Sequence, residues 1–144
     1  IKKNEILFRI VVPKKIHYSL SAPPHLDLNA GKIINRKKEG SMPMSFSLWT
    51  PIIGFSKKYT LNFAPGSHLV NHPLGGITNQ KKYISRPFES SYYNKFKFKR
   101  LNLKKGEAIL FDINLLHGGA DNLGNKTRVS LETRMYHHKK IKLN

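Results

Sequence analysis

The chain has 144 residues, which suits one domain with a hydrophobic core, and it contains no cysteine. Disulfides, thiolate metal sites and cysteine nucleophiles are therefore excluded, and the composition fits a reducing, cytoplasmic location. The formal net charge is +18, but the basic residues are dispersed in pairs such as Lys57-Lys58. This dispersal argues against a nucleic-acid surface and leaves an anionic small-molecule substrate open. No run of about 18 apolar residues occurs, so we expect no membrane span.

Short segments rich in Ile, Leu, Val, Phe and Tyr alternate with Gly, Pro and Asn along the chain, a pattern typical of strands. In chain order, the predicted strands are 5–12, 15–21, 44–52, 58–64, 82–86, 96–103, 107–113 and 127–136. So many short strands in one small domain favour a sandwich or a barrel, and a double-sheet jelly roll is one natural way to bury them. We therefore expect an all-β fold with residues 1–144 forming a single domain.

The stretch "APPHLDLN" places His25 two residues before Asp27, so on an extended segment both side chains project to the same side. His117 stands just beyond the predicted strand 107–113, at the start of the glycine-rich loop "HGGADNLGNK". Loops on a rigid β scaffold are where function concentrates. Two imidazoles and one carboxylate would form a facial triad that leaves positions open on Fe(II). Alone, a His-x-Asp pair also occurs often by chance.

The last predicted strand carries a polar face. Arg128, Ser130, Glu132 and Arg134 alternate along "TRVSLETR" and point to one side of it. Such a face is unusual in a packed core and reasonable in a polar pocket, where a guanidinium can bind a carboxylate with two hydrogen bonds. The same pattern also fits a solvated outer face with a local ion pair, and the sequence leaves both interpretations open.

Together these motifs resemble the iron- and 2-oxoglutarate-dependent oxygenases of the phytanoyl-CoA dioxygenase type. "SLWTPI" resembles the tryptophan-bearing strand of that family, "LNFAPGSH" its "PGSH" turn, and "KKGEAILFDINLLHGGADN" the segment around its distal histidine. "LNFAPGSHL" with "HGGADN…TRVSLETR" is most similar to the members found sporadically in bacterial carbohydrate-biosynthesis clusters. The resemblance covers roughly residues 5–138, and its motifs occur in the family's order.

The resemblance implies a double-stranded β-helix, a cupin-like jelly roll, without the N-terminal helical part usual in the family. It implies that His25, Asp27 and His117 bind Fe(II) and are the catalytic residues. It further implies that Arg128 pairs with the far carboxylate of the cosubstrate 2-oxoglutarate. Ser130 and Trp49 are implied as further cosubstrate-binding residues. The expected activity is hydroxylation of a small molecule with O2. The expected class of substrate is a carbohydrate or nucleotide-sugar precursor of a surface polysaccharide.

Two rival interpretations stay open. A metal-binding cupin-type isomerase or binding protein would not need Arg128, whereas a basic nucleic-acid-binding module would need neither His25 nor Asp27. Nothing in the sequence resembles an RNA-binding aromatic motif or a recognition helix, so the second rival ranks lower. His68 in the "PGSH" turn is interpreted as a support for the turn or pocket wall, not as a metal ligand.

Overall fold

The computed structural model describes residues 6–14, 24–27, 45–72, 90–118 and 120–136. These residues form seven strands in chain order: β1 (Ile6–Val11), β2 (Ser45–Ile53), β3 (Asn62–Phe63), β4 (Lys99–Arg100), β5 (Ile109–Asp112), β6 (His117–Gly118) and β7 (Arg128–Tyr136). The helical elements of this part are a 3-10 turn, Ser67–Leu69, and one short helix, α1 (Ser90–Tyr93). The expected all-β fold is confirmed.

The strands form two antiparallel sheets. The first, called the major sheet, has the order β1-β7-β2-β5, and the second, called the minor sheet, has the order β4-β3-β6. The two nine-residue strands, β2 and β7, are neighbours at the centre of the major sheet and pair along most of their length. A β-bulge interrupts this register between Pro51 and Ile53.

The hydrophobic core lies between the two sheets. Trp49 from β2 and Phe111 from β5 pack against Phe63 of β3 and Leu61 just before it, and all four are buried. The rings of Phe63 and Phe111 meet edge to face with centroids 5.4 Å apart, a geometry that aromatic pairs favour. This core holds the facing surfaces of the sheets together and fixes the side chains that project between them.

The opposite face of the major sheet is apolar as well, but it is exposed in the described part of the chain. Ile6, Phe8 and Ile10 alternate along β1, and Leu110 lies on β5, with 59–68% of each residue accessible to solvent. Because the side chains of a strand alternate between faces, these residues point away from the core described above.

The predicted strands at 5–12, 44–52, 107–113 and 127–136 correspond to β1, β2, β5 and β7. The predicted strands 58–64 and 96–103 are longer than the strands found there, β3 and β4, which have two residues each. The backbone N–H groups of Tyr59 and Thr60 both donate to the carbonyl of Ser56, so residues 56–60 form a turn and β3 begins only at Asn62. The predicted strands 15–21 and 82–86 lie outside the described residues.

Candidate metal centre

The backbone brings His25 and His117 together across 92 residues of sequence. The two residues form an isolated antiparallel bridge, in which the N–H of His25 donates to the carbonyl of His117 at 2.9 Å and the reverse bond measures 3.1 Å. His117 also pairs with Phe63 of β3. The bridge therefore makes the His25 segment an extension of the minor sheet, and Asp27, two residues further on, lies beside both imidazoles.

Three potential ligand atoms, one each from His25, Asp27 and His117, lie within 4.8 Å of one another. The Nε2 atoms of His25 and His117 each lie 3.8 Å from one carboxylate oxygen of Asp27. His117 and Asp27 are buried, while the side chain of His25 keeps 19% of its surface accessible. Two imidazoles and one carboxylate converging from one side suit a divalent iron ion with open coordination positions.

His117 is held in the form that binds a metal. Its Nδ1 lies 2.9 Å from the carbonyl oxygen of Leu115, so we assign the proton to Nδ1, which donates to that oxygen and leaves the lone pair of Nε2 facing Asp27. Burial, reinforced by the neighbouring His25, lowers the pKa of His117 to about 4. The imidazole is therefore neutral at pH 7, as metal coordination requires.

Asp27 is held as a carboxylate. Burial alone would raise its pKa, but His117, the guanidinium of Arg134 and the hydroxyl of Ser47 more than offset this and lower the pKa below the ordinary value. Nη2 of Arg134 donates to Oδ1 at 2.9 Å, and the Ser47 hydroxyl donates to Oδ2. Both carboxylate oxygens thus accept hydrogen bonds while still facing the two imidazoles.

Most of the polar face of β7 is buried and is not a solvated surface. Arg128, Ser130 and Arg134 are 3%, 0% and 7% exposed. Glu132 departs from this pattern, because its carboxylate pairs at 3.3 Å with the half-exposed guanidinium of Arg9 on β1. For Arg128, Ser130 and Arg134 the structure therefore excludes the solvated outer face, and their burial is compatible with the polar pocket that the sequence left open.

Three buried donors on this face of the major sheet have no hydrogen-bond partner among the described residues: Arg128 Nε, Ser130 Oγ and Trp49 Nε1. Nη1 of Arg128 donates to the carbonyl oxygens of Tyr59 and Ala120, at 2.9 and 3.4 Å, which fixes the guanidinium in place. Burial lowers the pKa of Arg128 to about 10, so it remains a cation at pH 7. A buried cation beside unsatisfied donors suits an anionic acceptor such as a carboxylate.

Trp49, which the resemblance implies as a cosubstrate-binding residue, is also a core residue. It is fully buried in the core with Leu61, Phe63 and Phe111, and it lies opposite Glu132 in the β2–β7 register, on the same face as Ser130. Its bulk is therefore structural, and its unpartnered indole N–H is the part that could take a ligand.

Nothing in the sequence marks Ser47 as a site residue or pairs Arg134 with Asp27. Ser47 alternates with Trp49 along β2, so it shares the inward face, but only the pairing of β2 with β7 shows that it meets Arg134. Of the other histidines, His68 is exposed in the turn after Gly66, away from the ligand set, and His72 bonds Tyr92 and the carbonyl of Ser67.

Within the part of the chain that the structure describes, no helix has the length and apolar character needed to cross a bilayer. No curated protein matches the sequence significantly.

Solved structures with the same fold include non-heme, 2-oxoglutarate-dependent enzymes. EvdO2 from Micromonospora carbonacea var. aurantiaca, complexed with 2-oxoglutarate, is 16% identical with a TM-score of 0.65, over 95% of this chain and 54% of its own. The epimerase SnoN of nogalamycin biosynthesis is 17% identical with a TM-score of 0.63, over 92% and 48%. The carbocyclase SnoK of the same pathway is 13% identical with a TM-score of 0.61, over 92% and 48%.

This chain therefore spans about half the length of these solved proteins. The likeness confirms the expected cupin-like jelly roll. The family model described as phytanoyl-CoA dioxygenase matches residues 8–130, which is most of the sequence. The chain belongs to the phytanoyl-CoA dioxygenase family.

Proposed function

We propose that this chain is the catalytic core of an Fe(II)- and 2-oxoglutarate-dependent oxygenase, in which His25, Asp27 and His117 hold the iron. The observation that carries the proposal is the convergence of their three ligand atoms within 4.8 Å, with His117 neutral and Asp27 ionised. No thiolate is available in the sequence, so the donor set of nitrogen and oxygen suits Fe(II).

We propose that the cosubstrate binds beside the triad, against the buried donors of the major sheet. Arg128 is a fixed, buried cation that would bind the far carboxylate of 2-oxoglutarate, and Ser130 and Trp49 would each add one hydrogen bond. Three unsatisfied donors would then gain acceptors, which offsets the cost of their burial. The complex of EvdO2 with 2-oxoglutarate supports this assignment at the level of the fold.

When bound, the iron and 2-oxoglutarate supply the oxidising chemistry: 2-oxoglutarate and O2 become succinate and CO2 while one oxygen atom enters a substrate C–H bond as a hydroxyl group. The residues of this chain contribute orientation and charge. His117 and Asp27 present one lone pair each from fixed positions, and the aromatic rings of Phe63 and Phe111 shield His117 from solvent.

Hydroxylation is the proposed outcome, but the same cofactor pair serves other reactions. The neighbours SnoN and SnoK are described as an epimerase and a carbocyclase, so epimerisation and ring closure are the alternative outcomes for this site. All three begin with oxidation of a substrate C–H bond. The product formed from the substrate distinguishes them.

We propose a small molecule as substrate, with a carbohydrate or nucleotide-sugar precursor of a surface polysaccharide as the first class to test, in the cytoplasm. The support for this class is the similarity of "LNFAPGSHL" and "HGGADN…TRVSLETR" to oxygenases of carbohydrate clusters. The net charge of +18 is compatible with a phosphorylated substrate. A nucleic-acid partner is not expected.

Oxygen-dependent formation of succinate tests the proposal and separates it from a non-oxidative cupin-type isomerase or binding protein. The protein is incubated with Fe(II), 2-oxoglutarate and air, with and without candidate sugar nucleotides, and succinate is measured. We expect succinate from the parent, none from His117→Ala, and an unchanged yield from His68→Ala, which removes an exposed imidazole outside the site. Metal binding without any succinate would favour the cupin-type alternative.

A further inference from the structure

Asp27 is attached to the molecule differently from the two histidines. His25 and His117 are joined to each other by two backbone hydrogen bonds and belong to the minor sheet. The carboxylate of Asp27 instead contacts the major sheet, because its two oxygens accept hydrogen bonds from Arg134 on β7 and Ser47 on β2. The candidate metal centre therefore spans the two sheets.

The two donors form one unit. Ser47 and Arg134 are directly opposite each other in the β2–β7 register, at the centre of the major sheet, and they are 3% and 7% exposed. The backbone ladder fixes the distance between neighbouring strands, so it also fixes the two points from which the carboxylate is held. A flexible or exposed pair could not define the position of Asp27 in this way.

Arg134 brings a charge that can act in two opposite ways. It compensates the buried carboxylate of Asp27 before any metal arrives, which stabilises the ionised form in place. It also places a cation 2.9 Å from a ligand oxygen, where it repels an incoming divalent ion. Which effect dominates decides whether the residue assists metal binding or opposes it.

We propose that Ser47 and Arg134 are positioning residues that hold Asp27 in its metal-binding orientation, and that this orienting effect outweighs the repulsion between Arg134 and the metal. The inference rests on the proposed metal site. Two hydrogen bonds hold the carboxylate in place, so metal binding does not have to immobilise it. Removing hydrogen-bond partners of a metal ligand typically weakens metal binding about 10- to 100-fold.

Titration with Co(II) tests the inference without relying on activity, because the visible d–d bands of Co(II) report both affinity and ligand geometry. We expect Ser47→Ala to weaken Co(II) binding about 10-fold and Arg134→Gln about 10- to 100-fold, each with altered bands. Arg134→Lys retains a charged donor and should recover part of the loss. Thr60→Val is the matched control, since it removes a fully buried hydroxyl that donates to Leu101 and should leave the titration unchanged.

The outcomes separate this inference from the proposed function. If the parent binds Co(II) and both Ser47→Ala and Arg134→Gln bind it equally or more tightly, the positioning role is overturned while the metal site stands. If the folded parent binds no Co(II), the metal site fails and the inference fails with it. A thermal melt accompanies every sample, and Ser47→Ala, which keeps the Arg134–Asp27 ion pair, decides the question if Arg134→Gln does not fold.

Discussion

Replacing Arg128 by methionine should abolish the recognition of the far carboxylate of 2-oxoglutarate. Methionine keeps much of the length and apolar volume of the side chain but removes its charge and its N–H donors. Truncating one partner of a buried, hydrogen-bonded charge pair costs about 2–5 kcal/mol, which corresponds to roughly 30- to 5,000-fold in affinity. The upper part of that range is expected, because Arg128 is only 3% exposed.

The same substitution has a structural cost that must be separated from the loss of binding. Nη1 of Arg128 donates to the carbonyls of Tyr59 and Ala120, and the shorter of these bonds, at 2.9 Å, is charge-assisted. Its loss should lower the free energy of unfolding by about 1.5–3 kcal/mol. Arg100→Met is the matched control, since Arg100 donates to the carbonyls of Lys57, Lys58 and Asp121 but is not assigned to the cosubstrate.

The assay is an anaerobic titration of the Fe(II)-loaded protein with 2-oxoglutarate and, separately, with 2-oxopentanoate, which has the 2-oxo acid group but no far carboxylate. The parent and Arg100→Met should prefer 2-oxoglutarate, whereas Arg128→Met should bind both acids with similar, weak affinity. An unchanged preference for 2-oxoglutarate in a folded Arg128→Met protein would refute the assignment of Arg128.

Three further predictions concern stability. Folding lowers the pKa of His117 from 6.5 to about 4. Between pH 4 and pH 6.5 His117 is therefore protonated in the unfolded chain but neutral in the folded chain. The metal-free protein should therefore lose stability as the pH falls from about 6.5 to 4, and denaturant titrations should show a weaker pH dependence for His117→Gln. Asn122→Ala should cost about 2–4 kcal/mol, because this fully buried side chain bonds the carbonyls of Val11 and Lys126 and the N–H of Gly124. In the same denaturant assay the control Asn94→Ala, at an exposed position, should change stability by less than about 0.5 kcal/mol. Equal losses of stability in the two variants would contradict the structural role of Asn122. Gly124→Ala should lower the melting temperature more than Gly106→Ala, because a Cβ at Gly124 would come within 2.1 Å of the Tyr59 ring while one at Gly106 meets nothing within 4 Å. A smaller effect at Gly124, despite the positive φ of Gly106, would contradict this packing argument.

The longest strands could be predicted from sequence because alternation of apolar and polar side chains persists over β2 and β7. Alternation misleads at β3, where the alternating segment from Tyr59 to Phe63 begins in a turn closed by backbone hydrogen bonds to Ser56. The hydrophobic pattern indicates which residues are buried, and Leu61 and Phe63 are indeed buried, but it does not indicate whether their backbone is paired as a strand.

The three side chains of the candidate metal centre could be proposed from the sequence because a His-x-Asp spacing and a histidine beyond a strand end occur together with motifs that resemble the family, and the structure brings the three together. The sequence left open whether Arg128 and Ser130 are buried or exposed. Strand alternation puts them on one face of β7 but does not indicate whether that face points to the core or to solvent. Ser47 could not be found at all. Its role depends on the register that sets it opposite Arg134 and on the arrival of Asp27 from a distant segment, and neither is encoded near Ser47 in the chain.

The most direct test of the account is the visible charge-transfer absorption that forms when a 2-oxo acid chelates Fe(II). Fe(II) and 2-oxoglutarate are added to the purified protein without oxygen, with Asp27→Ala measured beside it. The account predicts a band in the parent that is absent from the folded variant. A folded parent without a band, or a band of equal intensity in Asp27→Ala, would contradict it.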